Sequence, residues 1–198
     1  VADLEGDGQV EIVVASEEGE VSGWSPGGER LWSRKLGGYL RQLEVGDLDD
    51  DGRKEIAVGS SRGFLYLLAD QGQIIGSYDV GSSIPALEIA TLEGRGRLLL
   101  GSGYDDGKVY LWGGEEKRWE FAVGNGVWAI GMADLGGEPI VFAAGDDGVL
   151  YLLDRYGRLL GSHTVGGRIH DLLVRDVGGG GEVTLRSGSY IYRLDVHP

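Results

Sequence analysis

The chain has 198 residues, with 32 Asp and Glu against 18 Lys and Arg, a net charge of −14, 38 Gly and no Cys. Its length and 41% apolar content suffice for a buried core and exclude a disordered chain, while the lack of Cys excludes disulfides, thiolate metal sites and a Cys nucleophile. An acidic surface repels phosphate backbones and anionic lipid, so no nucleic acid partner is expected and cations are favoured. No apolar run reaches the roughly 18 residues that span a bilayer, so no membrane insertion is expected. The opening residues, Val1-Ala2-Asp3-Leu4-Glu5, lack the basic start and apolar stretch of a secretion signal.

Read in chain order, Val1-Ala2-Asp3-Leu4 followed by Gly8-Gln9-Val10-Glu11-Ile12-Val13-Val14-Ala15-Ser16 returns as Val45-Gly46-Asp47-Leu48 followed by Gly52-Arg53-Lys54-Glu55-Ile56-Ala57-Val58-Gly59-Ser60. The same phase recurs at Thr91, Asp134 and Asp176, giving spacings of 44, 44, 43 and 42 residues. Within the second period, apolar or alternating runs at 40–47, 54–60, 64–69 and 73–80 are separated by Gly or Asp-Gly turns; the fourth repeats them at 127–133, 139–144, 149–153 and 158–165. Such runs predict four short antiparallel strands per period and leave no helical window.

A four-stranded repeat of this length is a β-propeller blade, whose sheet is buried on both faces by its neighbours. The first strand of each period fits: Leu43, Leu87, Ile130 and Leu172 align on one parity, while Leu40, Ile84, Val127 and Ile169 align on the other. The third strand carries a tyrosine column, Tyr66, Tyr110, Tyr151 and Tyr192, best read as blade-to-blade packing. The expectation is an all-β propeller of about five four-stranded antiparallel blades in a single domain, at 1–37, 38–81, 82–124, 125–166 and 167–198. At about 4.6 periods, a chain opening at Val1 reads as a smaller ring or a piece of a longer protein.

The turn between the first two strands carries the chemistry. In the second period it reads Asp47-Leu48-Asp49-Asp50-Asp51-Gly52-Arg53-Lys54-Glu55, with carboxylates at positions 1, 3, 5 and 9 and Gly at 6. Ca²⁺ takes six to eight oxygens at about 2.3 to 2.6 Å, and alternate positions of a tight loop aim carboxylates inward. The expected shell is Asp47, Asp49, Asp51, the Arg53 carbonyl and Glu55, completed by water. The first period offers Asp3, Glu5, Asp7, the Gln9 carbonyl and Glu11, with Glu5 one methylene longer than the Asp at its counterpart. About two Ca²⁺ sites are expected. In the third copy, Thr91-Leu92-Glu93-Gly94-Arg95-Gly96, Arg95 stands where the ion's charge would be needed, and the loops at 134–137 and 176–181 keep only their first acid, Asp134 and Asp176; all three are expected to be metal-free.

At these residues the sequence resembles the FG-GAP and VCBS family of calcium-loop propeller repeats, the type found in integrin α-subunit propellers and bacterial surface proteins. Asp47-x-Asp49-x-Asp51-Gly52-x-x-Glu55-Ile56 matches that family's loop, and the resemblance implies an ion in this turn. Asp147-Gly148-Val149-Leu150-Tyr151-Leu152-Leu153-Asp154 with Gly157 is similar to quinoprotein-type repeats. Trp32 and Trp119 fall in that pattern's docking-tryptophan column, where Gly76 and Gly161 stand in the second and fourth periods.

Catalytic motifs are weak. Gly59-Ser60-Ser61-Arg62-Gly63 has the spacing of a nucleophile elbow, but a strand follows instead of the required helix. His163, His170 and His197 lack zinc spacing. One ligand-binding candidate remains: Arg41, Trp128 and His170, preceded by Tyr39 and Arg168, share the opening of the first strand and would converge on one mouth of a propeller channel, suited to an acidic glycan or carboxylate-bearing peptide or else to plugging the channel. The reading is a calcium-binding, non-catalytic interaction or scaffold module, extracellular or on the cell surface or envelope. Its expected partner is another protein chain or a further copy of itself at an open blade edge. The alternatives are the propeller of an enzyme, quinoprotein-like or a polysaccharide lyase, and a lectin-like propeller.

Overall fold

A computed structural model of the chain describes residues 1–92, 96–113, 116–135, 137–176 and 180–196. These residues form eighteen strands in five antiparallel sheets, and no helix occurs among them. The first sheet holds β1 (Ile12–Ala15), β2 (Glu20–Trp24) and β3 (Arg30–Lys35); the second holds β4 (Leu40–Gly46), β5 (Glu55–Ser60), β6 (Phe64–Leu68) and β7 (Ile74–Asp79). The third is β8 (Leu87–Leu92), β9 (Gly96–Ser102), β10 (Lys108–Gly113) and β11 (Glu116–Ala122). The fourth is β12 (Val127–Leu135), β13 (Glu138–Gly145), β14 (Val149–Asp154) and β15 (Leu159–Thr164), and the fifth is β16 (Ile169–Asp176), β17 (Gly181–Ser187) and β18 (Tyr190–Val196). Each sheet is a meander in chain order. The strands of the second and fourth sheets start and stop within two residues of the runs read from the sequence, because Gly and Asp-Gly turns end each run sharply. The loop containing Arg95 and the loop at 176–181 fall largely outside the described residues, as do Gly136 and His197.

Two compact units divide the chain, Val1–Leu99 with Gly113–Glu116, and Leu100–Trp112 with Lys117–Pro198. In the first, Leu4, Val21, Leu36, Leu40, Ile56, Val58 and Leu68 form one apolar cluster, joined by Val13, Ala15, Leu43, Val45 and Tyr66. Every residue of β5 is buried, as a strand covered on both faces requires. In the second, Leu135, Phe142, Ala144, Leu150, Ile169, Val183 and Leu185 play the same part, with Leu172, Val174, Tyr192 and Leu194 packed on them.

The tyrosine column does more than fill space. The Tyr151 hydroxyl donates to Asp147 Oδ2 at 2.6 Å and to the Val123 carbonyl at 3.3 Å, and the Asp147 carboxylate also caps the Val149 N–H at 3.0 Å. Tyr110 repeats the bond to Asp106, four residues earlier. In the second sheet Arg62 replaces that Asp, and the Tyr66 hydroxyl instead accepts from the Gly37 N–H at 3.3 Å. The bond to Asp147, together with burial, pushes the Tyr151 phenol up to about 12.

The docking column locks the turns between third and fourth strands. Gly72 has φ +77°, and a Cβ there would meet the Trp32 ring at 2.5 Å; Gly157, also at φ +77°, faces Trp119 at 2.8 Å in the same way. Each indole thus lies flat on a glycine that admits no side chain. Trp119 Nε1 donates to the Arg155 carbonyl at 2.9 Å, and Arg34 Nε donates to the Gly72 carbonyl at 2.8 Å.

Gly72→Ala is expected to cost about 3 kcal/mol, from the left-handed backbone and the clash with Trp32 together. Gly28→Ala, at φ +85° with nothing within 4 Å, is expected to cost about 1 kcal/mol for the backbone alone; urea unfolding of both variants checks the difference. Because the folded state holds the Tyr151 proton more tightly than the unfolded chain, its contribution is full below about pH 10 and is lost as pH rises toward about 12. Tyr151→Phe should flatten that alkaline decline, measured by melting from pH 8 to 12.

Candidate functional site

The two acidic loops fold alike, at an offset of 44 residues. The Leu4 N–H donates to Glu11 Oε2 at 2.9 Å and the Leu48 N–H to Glu55 Oε2 at 2.6 Å. The Gly8 N–H donates to Asp3 Oδ2 at 3.0 Å and the Gly52 N–H to Asp47 Oδ2 at 3.2 Å. The Gln9 N–H reaches Asp7 Oδ1 at 2.8 Å and the Arg53 N–H reaches Asp51 Oδ1 at 2.7 Å. The loops also touch: the Lys54 N–H donates to the Leu4 carbonyl at 2.9 Å, and a Cβ on Gly6 would meet the Gly52 carbonyl oxygen at the same distance.

Their carboxylates are nevertheless arranged differently. Oxygens of Asp47, Asp49 and Glu55 lie within 4.8 Å of one another. With Ca–O distances near 2.4 Å, oxygens on one ion can be at most about 4.8 Å apart, a limit these three meet pairwise. Asp47 Oδ1 is shielded from solvent and Glu55 is buried. Burial first, and then the charges of Asp49, Asp51 and Asp47, raise the Glu55 carboxyl above its ordinary range, partly offset by the Leu48 N–H. The donor set is hard oxygen, crowded and partly desolvated, and it fits a divalent cation. Asp51 is exposed and stands outside this group of three, with Oδ1 turned to the Arg53 N–H.

No comparable group forms in the first loop among the described residues. Asp3 accepts from the N–H groups of Gly6, Asp7 and Gly8, and Asp7 accepts from both the main chain and the side chain of Gln9. The longer Glu5 side chain reaches away to Gln71 Nε2 at 3.4 Å. The Arg53 guanidinium pairs with Asp70 at 2.5 Å, in the same turn whose Gly72 receives Trp32.

Of the ligand-binding candidates, Tyr39 and Arg41 are exposed residues of the first unit; Tyr39 N–H donates to Ser61 Oγ at 2.9 Å. Trp128, Arg168 and His170 belong to the second unit and come together there. The His170 ring lies 6.4 Å from that of Trp128, and the Arg168 guanidinium lies 5.9 Å from the indole centroid. Two residues that the sequence reading passed over organise them. Asp146 Oδ1 takes both the Trp128 indole N–H at 2.7 Å and Arg168 Nε at 2.6 Å, and Tyr104 packs on Trp128 at 4.7 Å between centroids. The doublet Asp146-Asp147 ahead of Gly148 held the clue, since Asp147 is engaged by Tyr151 and its neighbour is left to face the other way.

Five meandering antiparallel sheets in a repeat near 43 residues, with Trp32 of the first and Trp119 of the third stacked on a turn glycine of the next, define a β-propeller. Residues 11–117, more than half of the chain, match the family model of the lambda-carrageenase β-propeller domain, and the chain belongs to that family. Among solved structures, Sqt1 of Saccharomyces cerevisiae is similar at a TM-score of 0.81, with 17% identity over 96% of this chain and 56% of that one, a likeness of fold alone. The chain therefore spans little more than half the length of that protein. No curated protein matches it. The likeness to calcium-loop repeats rests on the loop motif and not on this family match.

Asp146→Ala should release both Trp128 and Arg168, lowering stability by about 1 kcal/mol given the exposure of the guanidinium, and should shift tryptophan emission to longer wavelength. Asp147→Ala should leave the emission in place.

Proposed function

We propose that the chain is a calcium-held, non-catalytic β-propeller module that presents binding surfaces to another macromolecule outside the cell or at its envelope. The observation that carries this reading is the grouping of carboxylate oxygens of Asp47, Asp49 and Glu55 within 4.8 Å of one another, with Glu55 buried. Three carboxylates so placed repel one another unless a cation lies between them. The Arg53 carbonyl, Asp51 and water would complete the shell. The Asp3 loop, whose Asp3 and Asp7 carboxylates already accept from its own N–H groups, would bind more weakly. Calcium is abundant outside cells, which supports the proposed location.

A second reading follows from the family. The Trp128, Arg168 and His170 cluster joins an indole face to a guanidinium, a pairing suited to an anionic sugar. A propeller of the lambda-carrageenase type would then serve as the glycan-holding part of a carbohydrate-active protein. Titrating carrageenan oligosaccharides while following tryptophan emission, with Trp128→Ala as control, separates it from the first: saturable quenching lost in the variant supports glycan binding.

The calcium reading is tested by melting. A site of micromolar affinity at millimolar calcium contributes roughly 4 kcal/mol by linkage, and for a domain of this size 1 kcal/mol shifts Tm by roughly 2–4 °C. Calcium should therefore raise Tm by about 8 °C or more over excess chelator, and Asp49→Asn or Asp47→Asn should remove most of that difference. Asp7→Asn should change it little. Identical melting with calcium and with chelator sinks the metal reading.

A further inference from the structure

The turns that lead into the third strand of three sheets are built alike. Gly63, Gly107 and Gly148, all at positive φ, directly follow Arg62, Asp106 and Asp147, and four residues after each of those three stands a tyrosine of the column, Tyr66, Tyr110 or Tyr151. In the fourth sheet Asp147 accepts from the Tyr151 hydroxyl with one oxygen at 2.6 Å and from the Val149 N–H with the other at 3.0 Å. Asp106 does the same in the third sheet, for the Tyr110 hydroxyl and for the Lys108 N–H at 3.3 Å. One carboxylate thus serves a phenol and a main-chain amide at once.

In the second sheet that carboxylate is missing and only donors remain. The Tyr66 hydroxyl accepts from the Gly37 N–H at 3.3 Å, and its own proton meets no acceptor among the described residues. Arg62 is half-buried, yet no carboxylate or carbonyl among the described residues takes its guanidinium, in a chain whose net charge is −14. The Phe64 N–H holds the place of the Lys108 and Val149 N–H groups, two residues after the turn position. A Cβ on Gly37 would lie 3.1 Å from the Tyr66 hydroxyl oxygen and 3.9 Å from Arg62 Nη1, so hydroxyl and guanidinium are at most about 7 Å apart. Bonds of about 2.5 to 2.9 Å to the two oxygens of one carboxylate span such a separation.

We propose that Arg62, Tyr66 and the Phe64 N–H form a binding site for a carboxylate presented by a partner protein, the side chain of an Asp or Glu. The donors select an anion, since none of the three can bind a cation while its proton is in place. The guanidinium adds the charge and the planar fork that a carboxylate matches, and a half-buried donor left without an acceptor gains from receiving one. Recognition of an acidic motif by arginine is a recurring mode of peptide binding. The inference deepens the interaction-module reading and rests on it for the source of the carboxylate, but not on calcium, because none of these residues belongs to the acidic loops.

The test titrates acetate into ¹⁵N-labelled protein at constant ionic strength, with acetamide as the uncharged control, sulfate as the competing oxyanion and the blocked peptide N-acetyl-Gly-Asp-Gly-amide as the protein-borne carboxylate. The expected result is saturable shifts at the amides of Gly37, Arg62 and Phe64 with acetate and with the peptide, and none with acetamide. Arg62→Gln should weaken acetate at least tenfold. Arg62→Asp puts an internal carboxylate back beside Tyr66, and should abolish the acetate shifts while raising Tm by roughly 2–4 °C. Should that variant fail to fold, Arg62→Gln carries the test. Absent shifts at these amides, sulfate binding as tightly as acetate, or acetate titrations unchanged in the folded variants would overturn the site. Shifts with acetate but none with the peptide would overturn the partner, and melting in calcium and chelator reports on the metal reading separately.

Discussion

A sheet that is apolar on both faces cannot stand alone in water, and that constraint governs this molecule. All of β5 is buried, and neighbouring sheets approach closely enough that side chains must vanish at the contacts. A Cβ on Gly59 would strike the Ile84 backbone at 2.8 Å, and one on Gly181 would strike Leu135 at 2.8 Å. The high glycine content is thus partly a packing requirement and only partly a supply of turns. Removing the Cβ lets large aliphatic residues of the facing sheet fill the space, which preserves interior packing density.

In the first unit these contacts converge on one turn. The segment Asp70-Gln71-Gly72 receives the Trp32 ring and the Arg34 hydrogen bond, pairs with Arg53 through Asp70 and reaches Glu5 through Gln71. Arginines from the surrounding elements thereby meet the Asp70 carboxylate and the Gly72 carbonyl, while the turn's own Gln71 amide meets the Glu5 carboxylate. The acidic loops are tied to the packing of the sheets rather than hanging free, so charge placed in them is felt by the fold. This is why a cation bound between Asp47, Asp49 and Glu55 would act on stability and not merely on a local turn.

The repeat and its strands were legible because Gly and Asp-Gly turns interrupt short apolar runs at a regular spacing, and both signals are local. The alternation of acids in the Asp47 loop was legible for the same reason. What the sequence could not carry was direction. Glu5 and Asp49 stand at equivalent loop positions, yet one carboxylate reaches Gln71 and the other joins Asp47 and Glu55, a difference made by a single methylene and by a residue 66 positions away. Asp146 is likewise invisible as an organiser of Trp128 and Arg168 until strand pairing brings its turn beside them.

The docking column shows how a repeat can differ between copies without changing its fold. A stack needs a giver, Trp, and a receiver, a glycine held at positive φ, and the two stand on different sheets. Trp32 and Trp119 are givers, while the turns at Gly72 and Gly157 receive. The receiving sheets carry Gly76 and Gly161 in the giver position, so the role alternates along the chain, and the turn glycine of the first sheet, Gly28, has nothing against it. Losing the indole has two different outcomes. In the second sheet Tyr78 turns back into the space and restores packing with a residue of the same strand. In the fourth sheet the corresponding residue is His163, a polar ring that gains more from water than from an apolar wall, and the space stays open. One residue two positions along the strand therefore separates a position filled from its own strand, at Gly76, from one with nothing within 4 Å, at Gly161.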